Sequence, residues 1–174
     1  MELIKIHSSK DPLIARAAQL YESAFPADER TETDKFLAMI DNCPKMTFNA
    51  IVDEGAFAGM AVIWDLGICR YLLYLAVEEG KRNKGLGGKT LHLLQTESEL
   101  PIIGEVERPI NEMNARRIEF YKRNGFHIET ENPEFLNACH TYSSCVLQLI
   151  STKHLDDLEE CQRRVVDTVY KSMH

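Results

Sequence analysis

The fold is best predicted from a glycine-rich, basic stretch, VEEGKRNKGLGGKTL, residues 77–91. The apolar run Tyr71–Val77 precedes it and is typical of a strand buried on both faces. A segment with leucines at helical spacing follows it. A helix N-terminus offers unpaired N–H groups and the positive end of the helix dipole, and glycines let a ligand approach the backbone. The stretch therefore predicts a phosphate-binding loop between a buried strand and a helix.

Three phosphate-binding motifs compete for this loop. The dinucleotide motif G-x-G-x-x-G fails because Thr90 stands where its third glycine belongs. The nucleotide motif G-x-x-x-x-G-K-[ST] fits at Gly88–Thr90, but Asn83 replaces its first glycine. The pattern R-x-x-G-x-G/A is matched in full by Arg82–Gly87. The third motif is therefore favoured, and a nucleotide-hydrolysing protein is the least favoured interpretation.

Outward from this loop, strand and helix patterns alternate along the whole chain. Their predicted order is β-α-α-β-β-β-α-β-α-β-β-α, without a linker or an internal repeat. Tyr71–Val77, the helix after it and the strand Ile102–Glu107 form a βαβ unit, which predicts a parallel strand pair with a right-handed crossover. The fold class is therefore mixed α/β, and residues 1–174 form a single domain.

Composition excludes several classes of protein. The chain has 174 residues, a net charge of −7, 44% hydrophobic and 27% charged residues, which suits one folded domain and disfavours a nucleic-acid binder. No apolar run could span a membrane, and the N-terminal residues do not resemble a signal peptide. The 5 cysteines show no C-x-x-C spacing, so reduced thiols in a cytoplasm are expected. The histidines show no metal-ligand spacing, and no metal is expected.

The loop and a second motif together resemble the GNAT superfamily of N-acetyltransferases. The second motif, N-x-x-x-x-x-x-Y followed by G-F, is matched by Asn114, Tyr121 and Gly125-Phe126. The resemblance covers residues 1–150 and leaves 151–174 as a C-terminal helical extension. It implies a central, mostly antiparallel mixed sheet with a parallel, splayed central strand pair and helices on both faces.

The resemblance also implies a reaction and a cofactor site. The expected activity is transfer of an acetyl group from acetyl-CoA, as cosubstrate, directly to a primary amine, here one of a small molecule. Tyr121 would protonate the CoA sulfur; the alternative is a purely packing role. Asn114 would contact the CoA arm, cap its helix, or both. The residues implied to bind the cofactor are Leu75, Ala76, Val77, Arg82, Asn83, Lys84, Gly85, Leu86, Gly87, Gly88, Lys89 and Asn114.

The acceptor side depends on weaker signals. Glu105 and Glu107 are two residues apart on one strand, so they share a face and could accept a proton or hold a cationic acceptor; the alternative is a solvated strand end. By resemblance, Phe25, Glu29 and Arg30 are candidate acceptor contacts. A non-catalytic acyl-CoA sensor and a protein N-terminal or lysine acetyltransferase remain alternatives. A homodimer is expected, with the C-terminal strand and the apolar stripe of the Lys153–Tyr170 helix as its contacts.

Overall fold

The protein is built on a seven-stranded mixed sheet. The computed structural model describes residues 1–27, 30–130 and 147–173. The strands are β1 (Glu2–Ile6), β2 (Met46–Asp53), β3 (Ala56–Asp65), β4 (Arg70–Val77), β5 (Ile102–Glu107), β6 (His127–Thr130) and β7 (Leu147–Ser151). They lie in the order β1-β2-β3-β4-β5-β7-β6. The predicted strands are confirmed with small shifts of their ends, and residues 142–146 of the predicted last strand lie outside the described ranges.

The central strands β4 and β5 form the parallel pair that the sequence predicts. Their pairing covers only Arg70 to Leu72 on β4 and Ile102 to Gly104 on β5. Beyond these residues both strands continue, to Val77 and Glu107, without further pairing to each other. The two strands therefore splay apart toward their carboxyl ends, and the opening between them holds the candidate site.

Helices cover both faces of this sheet. They are α1 (Ile14–Ala24), α2 (Thr33–Asn42), α3 (Leu86–Thr96), α4 (Glu112–Arg123) and α5 (Leu158–Arg164). Helix α5 continues as a π-helical stretch, Val165–Tyr170, and a last turn, Lys171–Met173. One apolar cluster joins the sheet to α1, α2 and the C-terminal helix, and a second joins it to α3 and α4. None of the helices in the described ranges is long and apolar enough to span a membrane.

The C-terminal helix differs from its prediction in extent and in surroundings. It begins at Leu158 instead of Lys153. The apolar stripe expected at a dimer interface packs into the chain's own core, where Leu155, Cys161, Val165 and Val169 are buried. Burial of each such aliphatic side chain stabilises the fold by about 1.5–3 kcal/mol. The apolar side chains of the stripe are therefore covered within one chain, and they give no physical reason for a dimer.

Candidate active site

A cavity of about 570 Å³ occupies the opening between β4 and β5. Its walls come from the end of α1, strands β4 and β5, helix α4 and the C-terminal helix, with Arg82 of the loop and Leu147 of β7. Of the predicted cofactor residues, Leu75, Ala76, Val77, Arg82 and Asn114 line it. Residues 83–89 are not in the lining and belong to the loop and the first turn of α3. The cavity thus begins beside the glycine-rich loop and extends to the acidic residues of β5.

The loop ends as an open helix N-terminus. Gly85 adopts a left-handed backbone with φ of 76° and immediately precedes α3. A Cβ built on Gly85 meets no atom within 4 Å, so the space before the first turn of α3 is open. The N–H groups of that turn have no acceptor within the helix, and the side chains of Arg82, Lys84 and Lys89 are exposed around it. An anionic pyrophosphate fits this arrangement.

Two features of α3 refine the motif assignment. Thr90 is fully buried and its hydroxyl donates to the Leu86 carbonyl at 2.9 Å, so it does not face a ligand as a nucleotide-binding loop would require. A Cβ on Gly87 would lie 3.1 Å from Phe120 Cζ. Gly87 therefore allows α3 to approach α4, a packing reason that the sequence analysis did not anticipate.

Asn114 lies in the cavity wall with an unused hydrogen-bond acceptor. Its side chain is 2% exposed, its Nδ2 donates to the Arg108 carbonyl at 3.2 Å, and its Oδ1 has no partner among the described residues. The helix cap is Asn111, whose side chain accepts from the Asn114 backbone N–H at 2.8 Å. The capping alternative for Asn114 is therefore wrong. A buried acceptor without a partner suits an amide N–H of a bound ligand.

Tyr121 lines the same cavity from α4. Its ring packs edge-on against Phe120 and Phe126 at centroid distances of 5.2 and 5.3 Å. Within the described ranges, its hydroxyl makes no hydrogen bond. Burial raises the pKa of the Tyr121 phenol, and the charge of Arg117 opposes this only in part. The phenol is therefore protonated at neutral pH and can act as a proton donor. Both alternatives for this residue have support, because its ring packs on two aromatic rings and the residue lines the cavity.

Glu105 is held by two tyrosines that the sequence analysis missed. Tyr71 donates to Glu105 Oε2 at 2.9 Å, Tyr170 donates to the same oxygen, and the two hydroxyl oxygens lie 3.3 Å apart. Burial raises the pKa of both phenols well above the usual value, so both remain donors. All three groups line the cavity.

Glu107 shares the cavity face with Glu105, as the two-residue spacing predicts. It forms an ion pair with Arg117 of α4, with Nη1 and Oε2 3.3 Å apart. The two carboxylates are therefore not equivalent, because one is held by phenols and the other by a guanidinium. Both are half-buried. The solvated strand end that was the alternative for this pair is not what the structure shows.

The candidate acceptor contacts lie in different places. Phe25 lines the cavity and packs 4.6 Å from the Tyr74 ring centroid. Arg30 is outside the cavity lining and lies over the ring of Tyr21, 5.7 Å from its centroid. Glu29 lies outside the described residues.

Comparisons with known proteins are consistent with this geometry. Residues 44–128 match the family model described as an acetyltransferase (GNAT) domain. A solved structure described as an acetyltransferase of the GNAT family, from Bacteroides thetaiotaomicron, is 28% identical, with a TM-score of 0.86 over 98% of each chain. No curated protein gives a significant match.

Two more distant structures share the fold. An aminoglycoside 6′-N-acetyltransferase complexed with coenzyme A is 15% identical, with a TM-score of 0.64 over 90% of this chain and 100% of that one. A GNAT family acetyltransferase from Elizabethkingia anophelis with acetyl-CoA bound is 14% identical, with a TM-score of 0.61 over 87% of this chain and 97% of that one. Residues 44–128 thus match an acetyltransferase (GNAT) domain, and the whole chain has the fold of solved acetyltransferases of the GNAT family.

Proposed function

We propose that the chain transfers the acetyl group of acetyl-CoA to the primary amine of a small molecule. The observation that carries this proposal is one cavity that joins a phosphate-compatible loop, a buried phenol and an acidic pair. Acetyl-CoA supplies the activated acyl group as a thioester. Its fit is supported by the open helix N-terminus at Gly85, the unpartnered Oδ1 of Asn114 and the splayed end of β4. Two structures of the same fold hold coenzyme A or acetyl-CoA.

The glycine-rich loop and the cavity walls each have a role in this reaction. The N–H groups at the first turn of α3 and the side chain of Arg82 bind pyrophosphate. The backbone of β4 beyond Leu72 is not paired to β5, and its N–H groups can polarise an acyl oxygen in the opening. Glu105 holds the acceptor ammonium and takes up one of its protons, directly or through water. The neutral amine then attacks the acyl carbon, so that a C–N bond forms and the C–S bond breaks. Tyr121 protonates the leaving sulfur, and the second proton lost by the nitrogen returns to Tyr121 through water. No step requires a metal.

A small acceptor is supported by the size and chemistry of the cavity. The acidic side at Glu105 and Glu107 favours a cation, and the aromatic side, with Phe25, Tyr71 and Tyr74, favours an apolar body. The related aminoglycoside enzyme shows that this fold accepts small amines. A cytoplasmic location and a homodimer remain predictions, and the second now rests on family resemblance alone.

The test is turnover of a panel of primary amines, measured as release of the CoA thiol. We expect saturable release with at least one small amine and none with ATP in place of acetyl-CoA. Release only with peptides would favour a protein acetyltransferase. If acetyl-CoA bound but no acceptor gave release, the chain would be a sensor and the proposal would be wrong.

Replacement of Glu105 by Gln is expected to raise the acceptor KM by about tenfold or more, because an ammonium loses a charge-assisted hydrogen bond of about 1.5–3 kcal/mol. Acetyl-CoA affinity should be unchanged, since Glu105 lies away from the loop. Glu107→Gln should have the smaller effect, because Arg117 already pairs with that carboxylate. Steady-state kinetics with both variants check this, and unchanged acceptor kinetics in the double variant would exclude both carboxylates.

Replacement of Tyr170 by Phe is expected to lower kcat/KM for the acceptor about tenfold, because the Glu105 carboxylate loses one of its two phenol donors. Tyr170 acts as a positioning residue, through Glu105. The effect of Tyr170→Phe should therefore largely disappear in a Glu105→Gln background. Additive effects in the double variant would show that Tyr170 acts elsewhere.

A further inference from the structure

A second cluster of polar side chains lies at the far edge of the sheet, outside the cavity. His127 and Glu129 are on β6, and His154 follows β7. His127 Nε2 lies 2.7 Å from Glu129 Oε1, and His154 Nδ1 lies 3.6 Å from Glu129 Oε2. One potential ligand atom from each residue falls within 4.8 Å of the other two. The two imidazoles thus approach different oxygens of one carboxylate.

The burial of these three groups is unequal. The Glu129 side chain is 6% exposed, whereas the His127 and His154 side chains are 47% and 85% exposed. A buried carboxylate needs a compensating positive charge. Among the described residues, the side chains that pair with it are these two imidazoles. A metal ion held between the imidazole nitrogens and the carboxylate would supply that positive charge.

The backbone holds all three residues in place. The register of β6 against β7 is irregular between Ile128 and Thr130, so Glu129 lies at a bulge, a feature that redirects a side chain. The segment before His154 is anchored as well. The Ser151 hydroxyl donates to the Lys153 carbonyl at 2.6 Å, and Lys153 Nζ donates to the Glu99 carbonyl at 2.6 Å. The ligand atoms can therefore converge without a change of fold.

We propose that His127, Glu129 and His154 bind one divalent transition-metal ion, with zinc as the representative ion. Two imidazole nitrogens and one carboxylate are a common ligand set for Zn²⁺, and water completes the tetrahedron. None of the three residues lines the acetyl-transfer cavity. The ion is therefore not part of the proposed reaction, and it would join β6 to the segment that leads into the C-terminal helix.

Calorimetric titration of the untagged, metal-free protein with zinc chloride tests this proposal. At about pH 7.5 we expect one equivalent to bind, and at about pH 5.5 much weaker binding, because protonated imidazoles cannot coordinate. His127→Ala and His154→Ala should each weaken binding about tenfold or more. His92→Ala, at an exposed position on α3, is the matched control and should bind as the unmodified protein does.

Cobalt absorption spectra give a second readout, because tetrahedral Co²⁺ absorbs strongly and the absorption should disappear in the His127→Ala/His154→Ala double variant. Both positions are exposed, so the variants are expected to fold, which circular dichroism checks. The proposal is overturned if zinc shows no saturable binding below millimolar concentration. It is equally overturned if the double variant retains the affinity of the unmodified protein.

Discussion

Tyr121→Phe is expected to lower kcat by about a hundredfold or more, with little change in the affinity for acetyl-CoA. The variant keeps the ring that packs on Phe120 and Phe126 and removes only the hydroxyl. Because burial raises the pKa of this phenol, the donor stays protonated through neutral and mildly alkaline pH. Any loss of rate caused by its ionisation should therefore appear only above about pH 10. Steady-state thiol release and calorimetry measure the two effects separately.

Tyr21→Phe is the matched control for this variant. Tyr21 is buried beside the cavity without lining it. Its hydroxyl donates to the Thr31 carbonyl at 3.0 Å and lies 3.3 Å from the hydroxyl of Tyr74, which lines the cavity. Loss of the hydroxyl should lower the free energy of unfolding by about 1 kcal/mol and leave turnover largely intact. If Tyr121→Phe also turned over at the normal rate, its hydroxyl would not be the proton donor and its role would be packing alone.

Gly85→Val is expected to weaken acetyl-CoA binding by about tenfold or more. A β-branched residue is strained at φ of 76°, and its side chain would enter the open space before α3. Each hydrogen bond lost between a backbone N–H and a phosphate costs about 1.5–3 kcal/mol. Lys84→Ala should have a smaller effect, because it removes one exposed charge and leaves the backbone donors in place. Calorimetry with acetyl-CoA measures both.

Gly55→Val separates backbone strain from ligand contact. Gly55, in the β2–β3 hairpin, has φ of 74° and equally open surroundings, but lies outside the cavity lining. In both glycine variants the free energy of unfolding should fall by a similar amount, about 1–3 kcal/mol. Only Gly85→Val should lose acetyl-CoA affinity. Equal affinities in the two variants would show that phosphate does not approach Gly85.

Much of the fold was predictable because its signals are local. The buried strand at Tyr71–Val77, the glycine-rich loop and the helix after it are adjacent in the chain, and the motif fixes their order. The shared face of Glu105 and Glu107 follows from the alternation of side chains along a strand. The splay of β4 from β5 was implied by family resemblance, and the pairing that stops at Leu72 confirms it.

The parts that could not be predicted depend on contacts between distant segments. Tyr170 reaches Glu105 across 65 residues of sequence, by way of a helix that lies beyond the matched family domain. Nothing in its local pattern distinguishes it from other apolar-face residues of an amphipathic helix. Gly87 similarly serves a contact with Phe120 on another helix. The spacing of His127 and His154 gives no indication that one carboxylate lies between them.

The most direct test of the central claim is transfer of isotope-labelled acetyl from acetyl-CoA to a small primary amine, followed by mass spectrometry of the amine. The proposed reaction predicts labelled N-acetyl product with the unmodified protein, in proportion to released thiol, and about a hundredfold less with Tyr121→Phe. Thiol release without labelled amine, or equal labelling by the two proteins, would contradict it.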